Sequence, residues 1–242
     1  QKVTDMGYPT HFLSMPEMNQ MKVRKFRIVE SGASMFDINY LVPLEFVVRY
    51  YVAGSLMDRI KPGVVDFKTL GFNSIPSYGE PLPDPYFEVT TKFEKFDRPL
   101  TMDEACDIGG LRRVELFAIR DEILSIDRML QREVGKRGLL HADGKKEFAL
   151  GIDRQPVIVD TFGTADEDRF WESSAFQKGE TVELSKESVR QYYRSSGYHN
   201  ALYEARAKGG KEPEIPALPD EMKKATEDLY RTMFERLTGM KW

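Results

Sequence analysis

Glu45 and Arg49 stand four positions apart in the apolar run Leu41-Val42-Pro43-Leu44-Glu45-Phe46-Val47-Val48-Arg49. On a strand they share a face, and a charge buried without a partner is costly. Either the two pair with each other or they serve a ligand. Ala53-Gly54-Ser55 follows, where a glycine allows close backbone approach and Ser55 adds a hydroxyl beside main-chain amides, a cradle for phosphate or carboxylate. A second set, Asp143, Lys145 and Glu147 at period two, places two carboxylates and an ammonium on one face of an extended segment. This suits a nucleotide with its magnesium, which takes one or two carboxylates and completes its shell with phosphate oxygen and water; a polar hairpin strand is the plainer reading. The third set begins with Val157-Ile158-Val159-Asp160, an apolar strand presenting a carboxylate at its end, across a short turn from Glu147. Arg169, next to Phe170 and Trp171, either forks onto phosphate or carboxylate or lies over the indole.

These residues need elements to hold them. Alternation predicts a strand at Val23–Val29, a turn at Ser31-Gly32-Ala33-Ser34, and a buried strand across Leu41–Val48 entered through Pro43. Lys61–Pro99 is rich in proline and glycine and reads as a covering loop anchored by Tyr78, Tyr86 and Phe87. Thr101 and Glu104 have capping-box spacing, so a helix starts there and ends at Gly109-Gly110. A longer helix over 111–134 presents Val114, Phe117, Ile123, Met129, Leu130 and Val134, and stops at Gly135 or Gly138. Strands are expected at Lys146–Leu150 and Val157–Asp160. Ser185 caps a helix through about Arg194, and Asp220 caps a last one bearing Met222, Ala225, Leu229, Met233 and Leu237 on one stripe. Ala207–Pro219 reads as a polar connection. Strands first and helices later, without regular alternation, predict an α+β fold.

Composition narrows the function. Lys and Arg number 35 against 39 Asp and Glu, a net charge of −4, which disfavours general nucleic-acid binding. One cysteine, Cys106, and three histidines leave no internal disulfide and no histidine-rich metal site. Any catalysis falls to carboxylates, lysines and arginines. No stretch reaches the roughly 20 apolar residues of a membrane helix, so a cytoplasmic chain without membrane partners is expected.

Together the three sets resemble the SAICAR synthetase (phosphoribosylaminoimidazole-succinocarboxamide synthase) family. Leu41–Ser55 fits its first signature at every constrained position, and the likeness continues through Leu82-Pro83-Asp84-Pro85, Thr90-Thr91-Lys92, Asp143-x-Lys145-x-Glu147-Phe148, Asp160–Trp171, Ser185-Lys186-x-x-Val189-Arg190 and Pro216-x-x-Pro219. His141, Lys146 and Ala149 depart from the usual second signature, which has apolar residues at the first two positions and glycine at the third. That version looks like a longer, archaeal-type branch. Members also open with about 50 further residues, among them a Gly-Lys strand pair over the nucleotide, so the chain is expected to be an incomplete part of its protein.

The resemblance implies an α+β, two-lobe fold like that of ATP-grasp enzymes and kinases, with 1–42 the remainder of the small ATP-binding lobe and 43–242 the larger substrate- and magnesium-binding lobe. It implies an ATP- and Mg²⁺-dependent ligase that joins L-aspartate to carboxyaminoimidazole ribonucleotide (CAIR) through an acyl phosphate, and assembly as a homo-oligomer. Residue by residue, it makes Leu41, Val42 and Glu45 nucleotide contacts, and Arg49, Gly54, Ser55 and Arg169 contacts to the ribotide. Asp143 and Lys145 hold its imidazole and carboxylate; with Arg169 they are the expected catalytic set, and Lys145 also meets ATP. Glu147 and Asp160 become the magnesium ligands. Lys92, Lys186 and Arg190 are expected on the aspartate carboxylates, with Asp97 near a second magnesium. Two other classes stay open: a small-molecule kinase on the same fold, and a non-catalytic member.

Overall fold

In a computed structural model of the chain, residues 2–17, 19–30 and 32–242 are described; of the turn expected at 31–34, Ser31 lies outside them. Compactness divides the chain into one unit of Gln1–Gln131 with Ala142–Phe162 and another of Arg132–His141 with Gly163–Trp242.

The first unit opens with α1 (Lys2–Asp5) and the antiparallel hairpin β1 (Phe12–Glu17) and β2 (Gln20–Val23). The strand expected at Val23–Val29 is not there. β2 ends at Val23, and only Arg27 touches another strand, through an isolated bridge to Tyr40. Asp37 closes the following turn by accepting from the Ser34 amide at 2.7 Å.

The predicted Leu41–Val48 strand is two strands, β3 (Tyr40–Leu41) and β4 (Leu44–Tyr51), broken at Pro43, which has no N–H to give a ladder. Next come α2 (Ser55–Ile60), a single 3-10 turn at Phe67–Leu70, and β5 (Pro81–Thr91). β5 corrects the covering-loop expectation. Its Tyr86–Thr91 half pairs with β4, while the Pro81–Pro85 half is exposed apart from Leu82. β6 (Pro99–Leu100) leads into α3 (Met102–Gly109), where the capping box is complete: the Thr101 hydroxyl accepts from the Glu104 amide and the Glu104 carboxylate accepts from the Thr101 amide.

α4 (Arg113–Gly135) has the expected length, and its expected buried face is met in part, with Ile123 and Val134 buried. Leu116, Ile119, Ile123 and Ile126 are fully buried, whereas Val114 and Phe117 face outward. β7 (Leu139–Leu150) begins in the second unit, continues in the first, and turns back as β8 (Pro156–Val159). The sheet order is β3-β7-β4-β5-β6, with β8 also on β7. One sheet face carries Leu44, Phe46, Val48, Val89 and Phe148 into the core beside the α4 isoleucines. The other face is charged.

In the second unit β9 (Asp168–Glu172) pairs with β7. Four helices accompany it: α5 (Ser173–Phe176), α6 (Glu187–Ser195), α7 (Tyr198–Ala207) and α8 (Asp220–Thr238). α7 had no counterpart among the expected elements. Lys186, not Ser185, is the α6 cap, and Pro219, not Asp220, the α8 cap. On α8, Met233 is buried and Ala225 is exposed.

Glu122 on α4 is only 7% exposed, and burial pushes its carboxyl up to about 7. The unfolded chain releases this proton near 4.5, the ordinary value. Folding therefore retains a proton through that window, and stability falls as pH rises from about 4.5 to about 7. Glu122→Gln removes the penalty, of about 3 kcal/mol, above that window. Its melting temperature at pH 8 should exceed the parent's by about 10 °C, with the two converging near pH 4.5. Parallel melting curves across this range would refute the assignment.

Candidate active site

Strand alternation builds the charged face. Arg49 on β4 lies opposite Asp143 on β7, Val47 lies opposite both Lys145 and Glu88, and Glu45 lies opposite Thr90 on β5. The odd-numbered residues of β4 and β7 therefore share one surface with Glu88.

Two clusters result. At one end Arg49 donates through Nε and Nη2 to Glu88 Oε1 at 2.8 and 2.6 Å, through Nη1 to Asp143 Oδ2 at 3.2 Å, and through Nη2 to Ser55 Oγ at 3.1 Å. Arg59 takes the other Glu88 oxygen at 2.6 Å. Burial works to raise the Glu88 pKa, but Arg49 and Arg59 outweigh it and hold the carboxyl below its ordinary value. Gly54 caps α2 at φ +53, a backbone setting glycine adopts without a Cβ penalty.

At the other end Lys145 Nζ donates to Glu45 Oε1 at 2.9 Å and Glu147 Oε1 at 2.8 Å, and Lys92 Nζ lies 2.5 Å from Glu147 Oε2. Desolvation works against the Lys145 charge, but Glu147 and Glu45 prevail and its pKa rises. Glu45 moves upward, chiefly by burial, with Lys145 opposing and the nearby Asp97 charge adding to the rise.

Several expectations meet here and others need correction. Glu45 and Arg49 share a face but do not pair; each has its own partner of opposite charge. β8 stops at Val159, which lies opposite Glu147, so Asp160 is one residue past that register. It is exposed, with φ +60. Leu41 and Val42 lie where β3 runs into β4, the Val42 amide donating to Phe148 O at 2.9 Å. Arg169, Lys186 and Arg190 belong to the second unit. There buried Arg169 reaches Glu183 at 3.4 Å and Glu187 at 3.3 Å, Arg190 lies 3.8 Å from Glu187, and Lys186 lies 3.4 Å from Asp166. His141 Nε2 lies 2.7 Å from Asp168 Oδ1, both side chains fully buried.

Glu88 and Arg59 were missed from sequence. Glu88, Thr90 and Lys92 repeat the period-two pattern of Asp143, Lys145 and Glu147, and Arg59 is one helical turn from Ser55, so the signal was present. A separate cleft of about 610 Å³, lined in part by Glu30, Ala33, Pro43, Phe93 and Ile108, contains no cationic side chain and is not this charged face.

The family model for SAICAR synthetase matches residues 1–205. The chain belongs to the SAICAR synthetase family. It is 57% identical to the phosphoribosylaminoimidazole-succinocarboxamide synthase of Thermoplasma acidophilum over 99% of its own length and 81% of that protein. To the Thermoplasma volcanium enzyme of the same name it is 54% identical, over 100% and 82%. In three dimensions it resembles SAICAR synthetase from Pyrococcus horikoshii OT3 (TM-score 0.64, 23% identity, 100% of this chain and 79% of that one). It also resembles the Saccharomyces cerevisiae SAICAR-synthase complexed with SAICAR (TM-score 0.67, 19% identity, 100% and 78%). The α+β expectation, with its antiparallel sheets, agrees with these folds. As a SAICAR synthetase family member the chain is an ATP-dependent carbon–nitrogen ligase of purine biosynthesis, and the kinase and non-catalytic alternatives are not favoured. Among the described residues no helix is long and apolar enough to cross a membrane.

Proposed function

We propose that the charged face of β4, β5 and β7 is where this ligase activates CAIR with ATP before L-aspartate captures it, in the cytoplasm and as a homo-oligomer. The observation that carries this reading is the arrangement of two ion-paired sets on one sheet face, Arg49 with Asp143 and Lys145 with Glu147 and Lys92. Fixed charges of both signs suit a reaction whose demands are positioning and charge neutralisation. A solved SAICAR synthetase in complex with ADP, similar in fold, supports the nucleotide assignment.

In the first step an oxygen of the CAIR carboxylate attacks the γ-phosphorus of ATP; ADP leaves and an acyl phosphate forms. In the second, the aspartate amine attacks the acyl carbon and inorganic phosphate leaves with the former carboxylate oxygen. Arg49 and Ser55 grip the ribotide phosphate beside Gly54, while Asp143 and Lys145 orient its ring and carboxylate. Lys145 and Lys92 neutralise charge on the phosphoryl oxygens in transit. Leu41 and Val42 flank the adenine, next to Glu45. On this reading 1–42 is the remainder of the small ATP-binding lobe and 43–242 the larger lobe that binds the other substrates and magnesium.

The donor set fits a magnesium ion. Among the described residues around Lys145, the carboxylates of Glu45 and Glu147 take its ammonium, Lys92 lies on the second Glu147 oxygen, and Asp97 adds a further negative charge near Glu45. Glu147 and Asp160 would hold the ion, with Asp97 near a second; bound there, it would offset the charge of the ATP phosphates.

Oxygen-18 in the CAIR carboxylate tests the route. The label should appear in released phosphate, one atom per turnover. Label confined to the amide product would eliminate the acyl phosphate.

A further inference from the structure

Lys146 and Asp127 are fully buried, and their Nζ and Oδ1 atoms lie 2.6 Å apart. The Tyr50 hydroxyl donates to the second Asp127 oxygen at 3.0 Å. Neither partner is on the charged face, and none of the steps above uses them. Their placement is nevertheless specific. Lys146 stands in β7 between Lys145 and Glu147, and alternation sends its side chain to the opposite side of the sheet, where Asp127 projects from α4. Opposite it across the ladder is Phe46, a core residue, so this ammonium occupies an apolar position of the sheet.

A strand slipped by one residue exchanges its two faces. In β7 such a slip would turn Asp143, Lys145 and Glu147 into the core and Lys146 outward. The other side chains on the core side of β7 penalise this slip only through lost apolar burial. The buried ion pair adds a stronger and more directional penalty, because withdrawing Lys146 strands the Asp127 charge away from water.

We propose that Lys146 is a positioning residue: its ion pair with Asp127 fixes the phase of β7 against α4 and thereby holds Asp143, Lys145 and Glu147 toward the substrates. The catalytic consequence rests on the proposed function of the charged face; the phase constraint rests on the buried pair alone. The two members form one buried pair, so they should be replaceable together.

The test compares K146M, D127N and K146M/D127N in the full protein by two readouts. The first is amide hydrogen exchange of residues 143–148. Each single variant should lose at least tenfold protection there while α8 amides are unchanged, and the double variant should recover most of it. The second is steady-state ligation with folded protein. Each single variant should lower kcat at least tenfold with KM for ATP within threefold, and the double variant should recover to within threefold of the parent. Parent-like exchange in both single variants overturns the proposal, as does a double variant no better protected than either single. If the parent catalyses no ligation, the functional reading of the face fails while exchange still decides the phase constraint. If K146M does not fold, K146R, which keeps the charge on a bulkier head, should show a smaller loss in the same amides; full parent protection in K146R together with parent-like D127N overturns the proposal.

Discussion

Asp160→Asn should yield a protein that folds and melts like the parent and yet turns over ATP at least 100-fold more slowly at ordinary magnesium concentrations. Asp160 is exposed, so no buried partner is lost. Its φ of +60 is a left-handed setting that asparagine adopts as readily as aspartate. The change removes a charge and keeps the shape, so its effect is confined to what binds the carboxylate. A 100-fold loss corresponds to about 2.7 kcal/mol of transition-state stabilisation. A magnesium titration of ATP turnover and of ATP binding measures it, with the midpoint expected to move to higher magnesium. Normal turnover would reduce Asp160 to a residue that merely ends β8, and the metal site would have to be rebuilt around Glu147 alone.

Arg49→Lys should raise KM for the ribotide by 10- to 100-fold while the protein still folds. Arg49 distributes four hydrogen bonds over Glu88, Asp143 and Ser55 from one planar group. An ammonium carries three donors at a single point and cannot span the same three partners. Glu88 retains Arg59, so it is not left as an uncompensated buried charge. Asp143 loses the Arg49 contact at 3.2 Å, and a stability decrease of about 1–2 kcal/mol accompanies the kinetic effect. Steady-state kinetics in ribotide, alongside thermal melts, separate the two. An unchanged KM for the ribotide would show that Arg49 only organises the sheet.

How much of this was readable beforehand depended on whether the signal was local. The period-two spacing of Asp143, Lys145 and Glu147 and the Thr101–Glu104 capping box are short-range patterns, and both appear as expected. Glu88 escaped notice because Pro81, Pro83 and Pro85, just ahead of it, suggested a loop, whereas prolines are tolerated in the exposed half of a strand. On α4 the choice of Val114 and Phe117 as core residues misjudged the helical phase, although Leu116, Ile119, Ile123 and Ile126 follow the three- and four-residue spacing of a buried face. Arg49 finding Glu88 rather than Glu45, and Lys146 finding Asp127, are choices of partner made across the fold. Spacing along the chain carries no information about them.

The prolines of β5 also bear on how the protein avoids itself. A long strand flanked by a two-residue neighbour, as β5 is by β6, exposes backbone to which a foreign strand could add. Within Pro81–Pro85 only Leu82 and Asp84 have an N–H to offer, and the side chains there, Leu82 apart, lie in solvent. An incoming chain would find too few donors to zip along, so this stretch resists recruitment into intermolecular sheets. Residues that look like a defect in a strand thus act as a guard against aggregation, on the same strand that carries Glu88 to the heart of the charged face.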